Sequence, residues 1–244
     1  MKKNGKTEAK NGVRASFWTR LFDLMSPRLC VACGSRLAES EQHVCSTCVL
    51  TLPRTDHSIK PYDSILAKEF WGRLPVERVA AWLSYQADTP VSRLIHEMKY
   101  HDNPAIGRYL GEMMALEFQE SGFFRDIDVL LPIPLARQRE QQRGYNQSRE
   151  IARGISTMTG IPVVDNAMRR IRFEQSQTHM HIEERQANVE GAFELTDATQ
   201  LTGRHVLVVD DVITTGATMK ACCKELLQAG DVRISIIALG FTRG

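Results

Sequence analysis

The chain has 244 residues, of which 25% are charged and 43% hydrophobic, a globular balance that excludes a disordered, collagen-like or membrane-spanning polypeptide. Thirty-one basic residues against twenty-nine acidic ones leave a net charge of +2, so bulk charge makes no case for a nucleic-acid binder, and any such function needs a local patch. The excess sits at the front: residues 1–14 hold Lys2, Lys3, Lys6, Lys10 and Arg14 against Glu8, a tail of +4 on a remainder of −2.

That tail is expected to be a disordered basic leader. No apolar h-region follows its lysines and no run nears the roughly 18 apolar residues of a membrane span, which predicts a cytoplasmic protein with no transmembrane segment. Residues 15–60 are expected to form an amphipathic helix and a metal module. Phe17, Leu21 and Leu24, flanked by Trp18, Phe22 and Met25, recur at helical spacing until Pro27; such a face more often packs on a neighbouring module than on a membrane. Cys30-x-x-Cys33 and Cys45-x-x-Cys48, eleven residues apart, are two knuckles able to offer four thiolates to Zn²⁺, a spacing that suits a metal in a reducing compartment better than disulfides. Four ligands close the site, so the ion would be structural, and a module too small for its own core would need it to fold. His43 as a substitute ligand, an iron–sulfur cluster and a redox dithiol pair remain as alternatives. Arg28, Arg36, Arg54 and Lys60 join the leader in a local basic patch that could follow a phosphate backbone. Trp18, Trp71 and Trp82 could stack bases or belong to the core.

Residues 61–244 are expected to form the second unit. Pro53, Pro61 and Pro75 make residues 52–75 an irregular connector, anchored by Trp71. A strand is expected at 79–85 and helices at 91–100 and 106–118, the second started by Asp102-Asn103-Pro104. Then apolar strands at 127–131, 163–164, 206–209 and 234–239 alternate with an Arg-rich loop and helices at 147–159 and 215–229, the last closed by Gly230. This order predicts an α/β fold, a parallel sheet flanked by helices. Cys222 and Cys223 fall inside the last helix and are expected in the core.

The sharpest motif is Val206-Leu207-Val208-Val209-Asp210-Asp211-Val212-Ile213-Thr214-Thr215-Gly216-Ala217-Thr218. An apolar strand runs into two carboxylates, then into a hydroxyl-rich turn that opens a helix. Unpaired N–H groups at the helix start favour an anion, Gly216 lets the backbone approach it, and Thr214, Thr215 and Thr218 add donors. Asp210 and Asp211 would repel a phosphate unless they faced ribose hydroxyls or a divalent cation; a ribose 5-phosphate satisfies both halves. A Walker loop is excluded by the missing Gly-Lys-[Ser/Thr] ending. Between Tyr100 and Lys220 lie twelve arginines and no lysine, and guanidinium forks suit bidentate phosphate contacts.

The motif closely resembles the phosphoribosyl diphosphate signature of type I phosphoribosyltransferases. The order of Pro132-Ile133-Pro134-Leu135, Arg143-Gly144-Tyr145-Asn146-Gln147, Gln177 followed by Glu184-Arg185 and Asn188-Val189, and the Asp210–Thr218 motif, behind four cysteines, is similar to the ComF family of competence-associated, GntX-like proteins. The resemblance covers roughly residues 27–240. It implies a type I phosphoribosyltransferase fold with an N-terminal zinc-finger module, Mg²⁺ bound with phosphoribosyl diphosphate, and a role with single-stranded DNA and the DNA-uptake machinery. It further implies that Asp210 and Asp211 hold the ribose, that Thr214, Thr215, Gly216, Ala217 and Thr218 hold the 5-phosphate, and that Arg143, Arg172 and Arg185 stabilise departing diphosphate. Lys99, His179 and His181 are additional candidate phosphate contacts. Thr214 stands where some salvage enzymes carry an acidic general base, so purine salvage is not expected. Two readings follow: transfer of a phosphoribosyl group to an unidentified acceptor, or a non-catalytic single-stranded DNA binding and import factor that senses phosphoribosyl diphosphate. A protein dock using the cysteine module is a third.

Overall fold

The fold is described from a computed structural model over residues 27–60, 62–101, 103–171 and 191–242. The leader, the helix expected before Pro27, Arg172, Arg185, His179 and His181 lie outside these residues.

After α1 (Ser46–Thr51) and α2 (Ile65–Phe70) come β1 (Val76–Ser84), α3 (Pro90–Tyr100), α4 (Pro104–Gln119), β2 (Val129–Pro132), α5 (Arg137–Arg143) and α6 (Gln147–Thr159). β3 (Met168–Arg170), β4 (Phe193–Leu195), β5 (His205–Ile213), α7 (Ala217–Leu226) and β6 (Arg233–Phe241) complete the described chain. Four strands form a parallel sheet in the order β1-β6-β5-β2, and β3 pairs antiparallel with β4. The near-continuous apolar runs of β5 and β6 arise because both faces are covered. Side chains alternate across a strand: Val206 and Val208 pack with α2 and α7, whereas Leu207 and Val209 pack with α3, α4 and α6.

The cysteine segment does not stand apart from this core. Cys30, Ala32, Leu37, Val44, Cys48 and Leu52 join the cluster built by α3, α4 and α6. The chain then runs beside β1, with Thr55 N–H donating to Trp82 O at 2.9 Å and Ser84 N–H to Pro53 O at 2.8 Å. Trp82 is a core residue, 1% exposed, and its Nε1 and Arg54 Nε both donate to Glu117 Oε2 at 2.8 Å.

Three expectations need correction. The connector contains α2, capped by Ser64, whose hydroxyl accepts from Ala67 N–H. It is anchored by Leu66, Ala67 and Phe70, whereas Trp71 is 37% exposed: one helical step of about 100° separates the inside from the outside. The Arg-rich loop is the helix α5, which buries no residue and therefore carries no apolar period. Residues 163–164 form a single bridge, Val163 to Leu130, rather than a strand. No helix of the described residues is long and apolar enough to cross a membrane.

At the N-terminal edge of the sheet His205 is fully buried, its Nε2 2.9 Å from Ser235 Oγ and its Nδ1 3.3 Å from Arg78 Nη2. Burial holds its pKa below the ordinary histidine value, reinforced by Arg78 and opposed by Glu77. Below about pH 6.5 the unfolded chain takes up a proton that the folded chain resists, so this residue withdraws stability as pH falls. The urea midpoint of the parent relative to His205→Gln is expected to drop between about pH 7.5 and about pH 5.5; a constant difference would show that His205 does not titrate differently on folding.

Candidate functional site

β5 is longer than its apolar run, continuing through Asp210 and Asp211 to Ile213. Both carboxylates therefore sit at the C-terminal end of a parallel sheet, where ligands of open α/β folds bind. β2 ends alongside, Pro132 in register with Val209, and the chain turns through Ile133, Pro134 and Leu135 into α5. Together these ends enclose a cleft of about 340 Å³, whose lining includes Asp210, Asp211, Thr214 and Thr218 together with Lys99, Arg139, Arg143 and Arg170.

The Arg-Gly-Tyr-Asn-Gln motif builds the cleft wall, each residue with its own task. Gly144 ends α5 in the left-handed region at φ 78°, which glycine adopts without steric penalty. Tyr145 Oη donates to Met98 O and so fixes the end of α3. Asn146 caps α6, its Oδ1 accepting from Ser148 N–H at 3.0 Å, while its Nδ2 donates to Ile133 O at 2.9 Å. Arg143 Nη1 donates to Gln147 Oε1 at 2.9 Å. Gln147 itself is buried, and its Nε2 has no hydrogen-bond partner among the described residues.

The acidic pair is unequal. Ser148 Oγ donates to Asp210 Oδ1 at 2.9 Å, as does the Asp211 N–H at 2.8 Å. Burial and the neighbouring Asp211 charge nevertheless push the Asp210 pKa up to about 7. Asp211 Oδ2 pairs with Lys99 Nζ at 3.0 Å. Burial works against the lysine charge, but the two carboxylates outweigh it and hold Lys99 above its ordinary value. Lys99, weighed in the sequence as a phosphate contact, thus lies in the cleft and is engaged by a carboxylate.

Gly216 forms the N-cap of α7 with φ 70°, and a Cβ there would lie 3.1 Å from Phe70 Cζ. Thr214 and Thr218 line the cleft, whereas Thr215, Gly216 and Ala217 are not among its lining residues. Arg143 lines the cleft as expected; Arg172 and Arg185 fall outside the described residues. Sequence reasoning missed Ser148 and the Lys99–Asp211 pair. Only the position of Ser148, in the first turn of a helix leading away from an Arg-rich segment, hinted at a role.

The sulfurs of Cys30, Cys33, Cys45 and Cys48 lie within 4.8 Å of one another, with Cys33 and Cys45 3.8 Å apart. A tetrahedron of thiolates about 2.3 Å from a central ion has edges of about 3.8 Å, so the cluster fits one metal. Cys45 N–H points at Cys30 Sγ at 3.3 Å, and hydrogen bonds led by the Ser35 side chain pull the Cys33 thiol down to about 6. The lowered Cys33 thiol favours thiolate, whereas burial holds the Cys48 thiol above its ordinary value. His43 is not in the group; its ring meets Tyr109 at 5.5 Å. Cys222 and Cys223 are fully buried, with their thiols pushed up by burial.

A profile of the phosphoribosyl transferase domain matches residues 97–243. The chain is similar to the DNA utilization protein YhgH of Escherichia coli strain K12, 29% identical over 227 residues that take in 88% of this chain and 98% of that protein. It is also similar to Competence protein F of Haemophilus influenzae, 27% identical over 218 residues covering 86% and 83%. Competence protein ComFC of Bacillus subtilis is 24% identical over 216 residues, covering 87% and 84%. The matched domain takes in every residue lining the cleft except Tyr85, and the chain belongs to the phosphoribosyltransferase family.

Proposed function

We propose that the chain binds phosphoribosyl diphosphate with Mg²⁺ at the end of β5 and transfers the phosphoribosyl group to an acceptor in the handling of DNA, the work named by its relatives. The observation that carries this is a single cleft in which two carboxylates, a threonine turn at a helix start and three arginines converge. The buried Nε2 of Gln147, which has no partner among the described residues, adds a donor.

In this reading Asp210 and Asp211 accept from the ribose hydroxyls, and residues 214–218 receive the 5-phosphate through hydroxyls and backbone N–H groups. Two carboxylates also suit Mg²⁺, a hard cation that takes few protein oxygens and keeps its waters; it would neutralise part of the diphosphate charge. The bond from ribose C1 to diphosphate breaks as the bond to the nucleophile forms. Arg143, joined by Arg172 and Arg185, would stabilise the negative charge building on the leaving group. Ion-pairing to Asp211 keeps Lys99 charged next to the same position. The four cysteines would hold a structural Zn²⁺ in the N-terminal module of residues 15–60, leaving residues 61–244 as the transferase-like unit of a cytoplasmic protein.

A second reading keeps the ligand and drops the transfer: a single-stranded DNA binding or import factor that senses phosphoribosyl diphosphate. Thr214 favours it, because a hydroxyl in that place cannot act as a general base at neutral pH. Diphosphate release from Mg²⁺ and phosphoribosyl diphosphate, assayed with and without candidate acceptors, separates the two. Acceptor-dependent release is expected for transfer. No release, together with salt-sensitive oligonucleotide binding that survives Asp211→Asn, would overturn transfer in favour of sensing.

A further inference from the structure

The turn at residues 214–218 rests on a side chain from outside the matched domain. Gly216 takes φ 70° at the N-cap of α7 and so presents bare backbone. The ring of Phe70 lies against it: a Cβ on Gly216 would meet Phe70 Cζ at 3.1 Å and Cε2 at 3.6 Å. Phe70 ends α2, which precedes the matched residues 97–243. It is fully buried, in the cluster that also holds Ile213 and Met219 on either side of the turn. Lys220, one helical turn after Gly216, joins the same contact, its Nζ 5.2 Å from the Phe70 ring centroid and 3.5 Å from Thr215 O. α2 is itself fixed in place. Ser64 Oγ accepts from Ala67 N–H at 3.0 Å and donates to Val79 O of β1 at 3.2 Å, and Leu66 and Ala67 are buried.

A helix start holds an anion through backbone N–H groups, which serve best when they already point where the anion will sit; a turn that must be ordered on binding forfeits part of the affinity. The bond from Ala217 N–H to Thr215 Oγ1 is long, at 3.4 Å, so packing beneath the backbone carries much of the order of this turn. A flat ring suits that place, because it covers bare backbone over a wide area, and Lys220 adds a cation over its face. Phe70 is not among the residues lining the cleft; it acts through the turn and not on the ligand.

We propose that Phe70 is a positioning residue for the 5-phosphate: its ring, carried on the connector helix α2, holds the Thr214–Thr218 turn in the form that receives a phosphate. The inference rests on the ribose 5-phosphate reading of the cleft and assigns part of that site to a segment outside the matched domain.

The test titrates ribose 5-phosphate calorimetrically into the full chain, well below every unfolding midpoint, and follows amide hydrogen exchange at residues 215–218. Phe70→Met keeps most of the reach toward Gly216 and Phe70→Leu shortens it, so affinity should fall in the order parent, Met, Leu, with a loss of roughly tenfold or more for Leu. Exchange at 215–218 should quicken in the same order. Leu201→Ala is the control: it opens the same apolar cluster at the opposite end of β5 and should lower the unfolding temperature while leaving affinity unchanged. Should Phe70→Leu not fold, Phe70→Met against Leu201→Ala gives the same comparison. If the Phe70 variants bind as the parent does, or lose no more affinity than Leu201→Ala, the ring contributes stability alone and the proposal falls while the phosphoribosyl site stands. If the parent itself does not bind ribose 5-phosphate, both fall together.

Discussion

Gly154→Ala is expected to lower the stability of the protein by about 3 kcal/mol or more, a fall of about 6–12 °C in Tm for a chain of this size. In an open helix this change would be favourable, since alanine is the better helix former by about 1 kcal/mol. Here a Cβ on Gly154 would lie 2.1 Å from Arg108 O and 2.9 Å from Glu112 N, and one on Gly111 would lie 2.3 Å from Ile151 O. These are backbone atoms that no rotamer change can clear, so α4 and α6 must separate, and overpacking of this kind opposes folding. Buried Glu150, which receives Arg108 Nε of α4 at 2.5 Å and Arg153 Nη1 of its own helix at 2.6 Å, would keep only the second partner as the helices part. The consequence reaches the cleft, because α6 carries Ser148, and Ser148 donates to Asp210. Denaturant unfolding and ribose 5-phosphate affinity should therefore fall together. An alanine variant as stable as the parent would show that the two helices do not need this close approach.

Loss of the metal is expected to have an effect of similar size, and it spreads beyond the cysteine segment. Elemental analysis should find about one zinc per chain, and Cys48→Ser should abolish it. In isolated zinc fingers metal binding supplies roughly 10–16 kcal/mol of apparent folding free energy. Here part of that role passes to packing, since Cys30, Ala32, Leu37 and Val44 are already buried against the α3, α4 and α6 cluster. Stripped protein should thus unfold at lower temperature and expose the α4 face around Tyr109, against which His43 packs, instead of losing all structure. Unchanged Tm after complete chelation would contradict a structural metal.

What the sequence revealed depended on whether the signal was local. The apolar runs around Val206 and Ile234, the helix at 147–159 and the cysteine spacing are all carried by neighbouring residues, and the structure has each in place. The turn from Asp210 to Thr218 was legible because it lies within one strand-to-helix passage. α5 was not, because a helix polar on every side leaves only composition. α2 was hidden by prolines that flank it without entering it. Phe70, rather than the more conspicuous Trp71, faces the core because of where Ser64 starts the helix. The Lys99–Asp211 pair, the Ser148–Asp210 bond and the glycine contact between α4 and α6 join residues far apart in the chain, and no spacing announces them.

The most direct test of the account is calorimetric titration of Mg²⁺ and phosphoribosyl diphosphate into the protein, beside the double variant Asp210→Asn, Asp211→Asn. Because Asp210 titrates near 7 and must be ionised to serve a cation, affinity should rise with pH through that range and binding below it should release up to about one proton. Micromolar binding with that pH dependence, lost in the double variant, is the result expected. Absence of binding at millimolar ligand, or equal binding by the double variant, would contradict the assignment of the end of β5 as a phosphoribosyl site.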